Sequence, residues 1–340
     1  MKVAVIGAGG WGTALATVLS AKGYQVDLWV RNVELYKTII LKRINETYLP
    51  DIKLPALIRP TLALEEALWG KSLIILAVPS HGIRQIARKI AALLPRQAPI
   101  VNVAKGLEDG TYQRLSQVLQ EELPEGHHRR LAVLSGPNHA EEVSRGLPSA
   151  TVVASAAIDT ARQVQERMMA PNLRVYTSTD LVGVELGGAL KNIIALGAGI
   201  LDGLEMGDNI KAALVTRGLV EITRLGVALG ARPATFSGLS GVGDLFATCA
   251  SRHSRNRRVG YKLGQGIPLE KIKERMPTVA EGIITTRAAY QLSRQVKVEM
   301  PITEKIYQAL YQGKAPREAV QELMLREAKK EMEDIGPGNF

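Results

Sequence analysis

Two rhythms divide the chain. Through the first half, short continuous apolar runs alternate with segments whose apolar residues recur every three or four positions. The runs at 3–6, 25–30, 73–78, 100–103, 131–134 and 151–154 predict strands, and the segments at 11–22, 33–44, 81–94, 111–122 and 139–145 predict helices. Strands apolar on both faces, alternating with helices, form a parallel sheet covered on both sides. Gly23 stands just past the first helical segment, where a left-handed glycine ends a helix. From about residue 180 strand patterns nearly vanish, and 184–201, 210–229, 270–275, 283–295 and 303–312 all read as helices. The expected organisation is therefore an α/β domain over residues 1–180, with a doubly wound parallel sheet, followed by an all-helical domain over residues 181–340. The charged, Gly/Pro-containing tail at 329–340 is expected to fray.

Composition narrows the function classes. The 340 residues suffice for two ordinary domains, and 46% apolar residues can bury a large core. Aromatics are only 4%, so Leu, Ile, Val and Ala must build it. The single cysteine, Cys249, allows no internal disulfide, and the absence of a Cys/His cluster predicts no metal; both fit a reducing, cytoplasmic setting. Met1-Lys2 leads straight into the first apolar run with no leader, and the most apolar helical stretch, 190–201, is short and carries Lys191 and Asn192. No integral membrane association is expected. The net charge of +10 fits nucleic acid, anionic lipid, phosphorylated small molecules or simply a solvated basic surface. The strongest cluster, Arg252-His253-Ser254-Arg255-Asn256-Arg257-Arg258, lacks interleaved aromatics for base stacking, so no nucleic-acid partner is expected.

Gly7-Ala8-Gly9-Gly10-Trp11-Gly12 matches G-x-G-x-x-G, follows a strand and opens a helix, the context of a dinucleotide (Rossmann) loop. Gly7 permits the turn, Gly9 lets the backbone approach a pyrophosphate, and Gly12 lets the helix pack close to the strand. The helix N-terminus offers its free N–H groups to the phosphates. The second strand ends Trp29-Val30-Arg31, with Arg31 where an acid would otherwise bind the ribose of NAD. A guanidinium there suits a 2′-phosphate, favouring NADPH over NADH, unless Arg31 is merely solvated. Asp27 lies earlier in that strand and reads as structural.

Ligands of such sheets sit beyond the carboxyl ends of the strands, where Val78-Pro79-Ser80, Val103-Ala104-Lys105-Gly106 and Ser135-Gly136-Pro137-Asn138 fall. Lys105 is the one charged side chain among them. In the second half, Lys191 shares a helical face with Gly187, Gly188, Ala195 and Ala198, a face with almost no bulk. A lysine there would be desolvated, and its pKa lowered toward the range useful for proton transfer, if it does not snorkel to water. Asp244, within the turn Ser240-Gly241-Val242-Gly243-Asp244, could accept a substrate hydroxyl, orient a lysine or cap a helix. Ser254, Arg255 and Asn256 group a hydroxyl, a guanidinium and an amide, a set suited to a phosphate or to a solvated loop.

These stretches resemble the soluble, bacterial NAD(P)-dependent glycerol-3-phosphate dehydrogenases: GAGGWGTALA from Gly7, LAVPSHGIR from Leu76, VAKGLE from Val103, LSGPNHAEEV from Leu134, GVELGGALKNIIALGAGILDGLEMGDN from Gly183, GLSGVGDLFATC from Gly238, HSRNRRVG from His253 and VAEGIITT from Val279. They run in order to about residue 310. The resemblance implies reversible reduction of dihydroxyacetone phosphate to sn-glycerol 3-phosphate by NADPH or NADH, feeding glycerophospholipid synthesis, in a homodimer. It implies Lys191 as the proton donor and acceptor, with Lys105, Gly136, Asn138, Asp244, Ser254, Arg255 and Asn256 at substrate positions. Gly10, Trp11, Arg31, Lys105, Ala140, Arg255, Val279 and Glu281 fall at cofactor positions. A related dehydrogenase of another small hydroxy acid would share the lysine-bearing helix, and a non-catalytic dinucleotide sensor would keep only the glycine loop.

Overall fold

The computed structural model describes residues 1–274, 276, 280–328, 330 and 331. Val279 and nearly all of the 329–340 tail, both subjects of the expectations above, lie outside the described residues. The described chain separates into two compact units, Met1–Ala104 with Leu115–Leu181, and Lys105–Arg114 with the residues from Val182 onward. The sequence reading left residues 105–114 in the first unit; the contacts of this segment group it with the second.

The first unit runs β1 (Lys2–Ile6), α1 (Gly10–Ala21), β2 (Gln25–Trp29), α2 (Val33–Lys42), β3 (Ile44–Asn45), β4 (Leu49–Lys53), β5 (Ile58–Thr61), α3 (Leu64–Leu68), β6 (Leu73–Leu76), α4 (Ile83–Ile90), β7 (Ile100–Asn102), α5 (Leu115–Glu122), β8 (Leu131–Ser135), α6 (Ala140–Ser144), β9 (Ser149–Ala154), α7 (Ile158–Met168) and β10 (Leu173–Ser178). The main sheet has the order β10-β9-β8-β7-β6-β1-β2-β5, and β3 pairs with β4 in a separate hairpin. Its strands are buried on both faces: Val3 and Val5 point into one core layer, Ala4 and Ile6 into the other. The order reverses at β1, between β2 and β6, which is where a doubly wound sheet opens a crevice.

The expectation of a wholly parallel sheet needs one correction, because β9 runs antiparallel to β8. A parallel return needs a crossover long enough to travel the length of the strand. The connection here holds only the five-residue α6, so the chain comes back the other way. The helix expected at 33–44 also ends early: Arg43 is left-handed at φ 56°, and Ile44 begins β3.

The second unit comprises α8 (Leu181–Gly203), α9 (Asp208–Ala228), α10 (Pro233–Phe236), α11 (Asp244–Ala250), α12 (Arg255–Gly264), α13 (Leu269–Glu274), α14 (Glu281–Gln295), α15 (Pro301–Tyr311) and α16 (Pro316–Met324). At 23 residues and a mean hydropathy of 1.4, α8 is long and apolar enough to cross a membrane, contrary to the expectation drawn from 190–201, which covers only its C-terminal half. Its apolar window is fully buried in this structure. The helix forms the axis of the unit's core, with Leu186, Leu190, Ile193, Ile194, Leu196 and Ile200 buried among the other helices. Helix α12 touches it backbone to backbone. A Cβ on Gly199 would stand 2.0 Å from the Arg257 carbonyl oxygen, and one on Gly260 would stand 2.0 Å from that of Leu196. Gly203 and Gly264 repeat the contact one turn along each helix.

Candidate active site

In the first unit the glycine loop occupies the crevice. Gly7, at φ +119°, lies against the end of β6, where a Cβ would come within 2.7 Å of the Ala77 carbonyl oxygen. Its N–H donates to the Trp29 carbonyl at 3.2 Å, tying the loop to the end of β2. A Cβ on Gly12 would fall 2.0 Å from the Gly7 carbonyl oxygen, so α1 can approach the loop only with glycine there. Gly9 differs: nothing lies within 4 Å of where its Cβ would be, so an incoming group can reach the backbone. Gly9 is the N-cap of α1, with no side-chain cap and no acid in the first turn. The leading N–H groups therefore face a ligand position without an internal competitor, which favours an anion.

Buried Asn45 holds this loop, donating to the Ala8 carbonyl at 2.9 Å and the Thr13 hydroxyl at 2.8 Å. Sequence reasoning missed it, because it sits in a two-residue strand with no motif of its own. Trp11 Nε1 and Asn138 Oδ1 are buried and have no hydrogen-bond partner among the described residues. A donor and an acceptor left open in this way fit a unit that completes its polar contacts with a bound dinucleotide. Ala140 heads α6, its Cβ 3.6 Å from where a Cβ of Gly10 would stand. Arg31 is exposed two residues past β2. Asp27 is taken up by Arg59 Nε, at 2.6 Å, and by the Lys71 ammonium, the structural role expected of it. Gly136 packs on β9, with room for no side chain against Thr151.

In the second unit, three of the expected residues converge. Lys191, on the small-residue face of α8, is 6% exposed. Gly187 on that face lets the Ser240 carbonyl oxygen come within 2.5 Å of a would-be Cβ, so the bulk-free stripe is filled by the turn that leads into α11. That turn delivers Asp244. The Lys191 ammonium donates to Asp244 Oδ1 and, at 2.6 Å, to the Thr248 hydroxyl, which in turn donates to the Asp244 carbonyl at 2.6 Å. Lys105 Nζ lies 2.8 Å from the other carboxylate oxygen of Asp244. Of the three roles open for Asp244, the structure therefore has it orienting a lysine, while Gly243 holds the N-cap position of α11. Burial pulls the Lys191 pKa down to about 8 and the Lys105 charge adds to the fall, while Asp244 opposes both.

The Ser254, Arg255 and Asn256 set is split by its helix. Ser254 caps α12, accepting from the Arg257 N–H at 3.2 Å, and Arg255 is exposed. Asn256 is buried, donating to Asn192 Oδ1 at 2.8 Å and accepting from the Gly282 N–H at 2.9 Å. Asn192 in turn faces the Lys105 carbonyl at 3.4 Å. Glu281, the first residue of α14, is half-buried beside this chain of amides. Sequence reasoning missed Asn192 and Thr248. Asn192 stood in plain view beside Lys191, but its partners are distant in the chain.

A glycine loop at the switch point of a doubly wound sheet, joined in one chain to a buried, acid-paired lysine, defines the class of dinucleotide-dependent dehydrogenases. Residues 2–161 match the family model of the NAD-dependent glycerol-3-phosphate dehydrogenase N-terminus, and residues 180–321 that of its C-terminus. The chain is 53% identical over 337 residues to a glycerol-3-phosphate dehydrogenase [NAD(P)+] of Desulfitobacterium hafniense, covering 98% of this chain and 94% of the relative. It is 54% identical over 334 residues to that of Pelotomaculum thermopropionicum, covering 98% and 96%. Among solved structures it is similar to glycerol-3-phosphate dehydrogenase from Coxiella burnetii, with a TM-score of 0.90 and 36% identity over 96% of this chain and 99% of that one. The chain belongs to the NAD-dependent glycerol-3-phosphate dehydrogenase family.

Proposed function

We propose that the protein catalyses the reversible reduction of dihydroxyacetone phosphate to sn-glycerol 3-phosphate, with Lys191 as proton donor and acceptor. The observation that carries this reading is the buried ammonium of Lys191, oriented by Asp244 and Thr248. NADPH, when bound, supplies a hydride to the C2 carbon. Lys191 polarises the ketone and gives its proton to the oxygen as charge develops there, and in the oxidation direction the neutral amine takes that proton back. Asp244 keeps the ammonium charged despite burial, and Lys105 adds a second positive charge.

Arg255, exposed at the head of α12, anchors the substrate phosphate. Ser254 accepts from the Arg257 N–H and Asn256 donates one amide hydrogen to Asn192, so the Ser254 O–H and the second N–H of the Asn256 amide remain to assist it. In the first unit, Gly9, Gly10, Trp11 and Ala140 receive the dinucleotide, with Gly136 and Asn138 on the substrate side. NADPH is favoured over NADH because Arg31 stands at the end of β2 and Asp27 is already paired. A cytoplasmic homodimer supplying glycerophospholipid synthesis completes the reading. The test is nucleotide oxidation with dihydroxyacetone phosphate beside unphosphorylated 2-keto acids. Preference for the phosphorylated ketone by at least a hundredfold in kcat/KM is expected, and equal use of a 2-keto acid overturns the reading.

A further inference from the structure

We propose that the hairpin Lys105–Arg114 is a strap by which the helical unit holds Lys105, and that buried Glu185 is a positioning residue for Lys105, acting through Arg114. The inference rests on the proposed role of the Lys191, Asp244 and Lys105 group.

The segment is a small closed hairpin. Leu107 and Arg114 bridge in antiparallel fashion, the Glu108 N–H donates to the Gln113 carbonyl at 2.9 Å, and the chain reverses through Gly110 at φ +86° and Tyr112 at φ 61°. Leu107 is completely buried in the helical core, and Tyr112 packs against it. Apolar burial of this kind anchors a loop but fixes no direction. Two ion pairs fix it. At the base, Arg114 Nη1 lies 3.0 Å from Glu185 Oε2, with the Glu185 side chain 1% exposed. At the tip, Arg287 Nη2 lies 2.6 Å from both carboxylate oxygens of Asp109, in a partly exposed pair.

A buried charge pair carries a desolvation cost that an apolar pair avoids, so its yield lies in defined geometry more than in stability. Glu185 and Lys191 lie on the same helix, about 9 Å apart along its axis. One rigid element thus carries the acid–base lysine and the latch for the second lysine, and Lys105 is delivered to Asp244 at a set spacing.

The groups facing the Lys191 amine are Asp244, Thr248 and Cys249 from α11 and Lys105 from the strap. Releasing the strap withdraws the Lys105 charge, which otherwise lowers the pKa of Lys191. In a Glu185→Gln enzyme, kcat for reduction should fall about tenfold with KM for NADPH unchanged. The alkaline limb of its pH profile should move to higher pH, as it should in Lys105→Met. In the double variant the two losses should not multiply, because Glu185 acts through Lys105. Asp109→Asn, at an exposed pair, should show the same shift at smaller size, and it serves if Glu185→Gln does not fold. Restoring the profile by Glu185→Asp further separates positioning from general loosening. An unmoved pH limb in both Glu185→Gln and Asp109→Asn, or losses that multiply with Lys105→Met, overturns the proposal while leaving the reading of the site intact. A Lys105→Met enzyme with full kcat overturns both.

Discussion

Around Gly9 the first unit offers an anion little besides backbone: open N–H groups at the head of α1, glycines that clear the approach, and Asn45 holding the loop in place. Around Lys191 the second unit does the reverse. It concentrates charge, burying an ammonium between a carboxylate and a hydroxyl and setting a second ammonium on the same carboxylate. The first arrangement suits recognition of a ligand by shape and dipole and has little to titrate. The second depends on protonation states, and its strength comes from exclusion of water. On the proposed reading, binding and chemistry are therefore built from different physical materials in the two units, and substitutions should separate them.

The largest separation is expected from Lys191→Met. Loss of the proposed proton donor should lower kcat by about a thousandfold, while NADPH binding, followed by quenching of its fluorescence, stays within twofold. Comparable loss of both would erase the contrast. Next comes pH. In the proposed mechanism reduction needs the charged amine of Lys191, whose pKa in the folded protein is lowered to about 8, so kcat for reduction should fall about tenfold per pH unit above that value. Oxidation of glycerol 3-phosphate should rise through the same range. Asp244 raises this pKa, so Asp244→Asn should move both limbs toward acid.

On the other side of the comparison, Gly12→Ala drives a methyl into the Gly7 carbonyl. Overpacking of this kind costs about 1–3 kcal/mol, and KM for NADPH should rise about tenfold with kcat at saturation nearly unchanged. The smallest effect is expected for Arg31→Ala. It should weaken NADPH by about tenfold or less, the loss of one exposed charge-assisted contact, and leave NADH untouched. Equal weakening of both nucleotides would remove Arg31 from 2′-phosphate recognition.

Elements with a strong period and a motif were legible in the sequence. β1, the glycine loop and α1 follow from an apolar run meeting G-x-G-x-x-G, and Lys191 stood out because its helical neighbours are glycine and alanine. What stayed hidden was set by tertiary contact. α12 is absent from the predicted helices because the arginines of 252–258 mask its period, although Asn256, Val259, Gly260 and Leu263 form a buried stripe at helical spacing. Strand β10 alternates buried Leu173 and Val175 with exposed Arg174 and Tyr176, an edge pattern without the continuous apolar run of its neighbours. Thr248 and Glu185 fall inside stretches that carry the resemblance, but nothing in their spacing singles them out, since their importance comes from what α11 and the 105–114 hairpin bring against them.

The seam between α8 and α12 has a consequence for how this protein can change over time. A core of leucines absorbs a substitution by turning neighbouring rotamers, so many sequences can fill it. At Gly199, Gly203, Gly260 and Gly264 the facing atoms are peptide groups, which have no rotamers to turn. Drift in those four positions has no local remedy, and only a shift of one whole helix could accommodate it. Because Lys191 rides on one of the two helices, any such shift would move its amine as well.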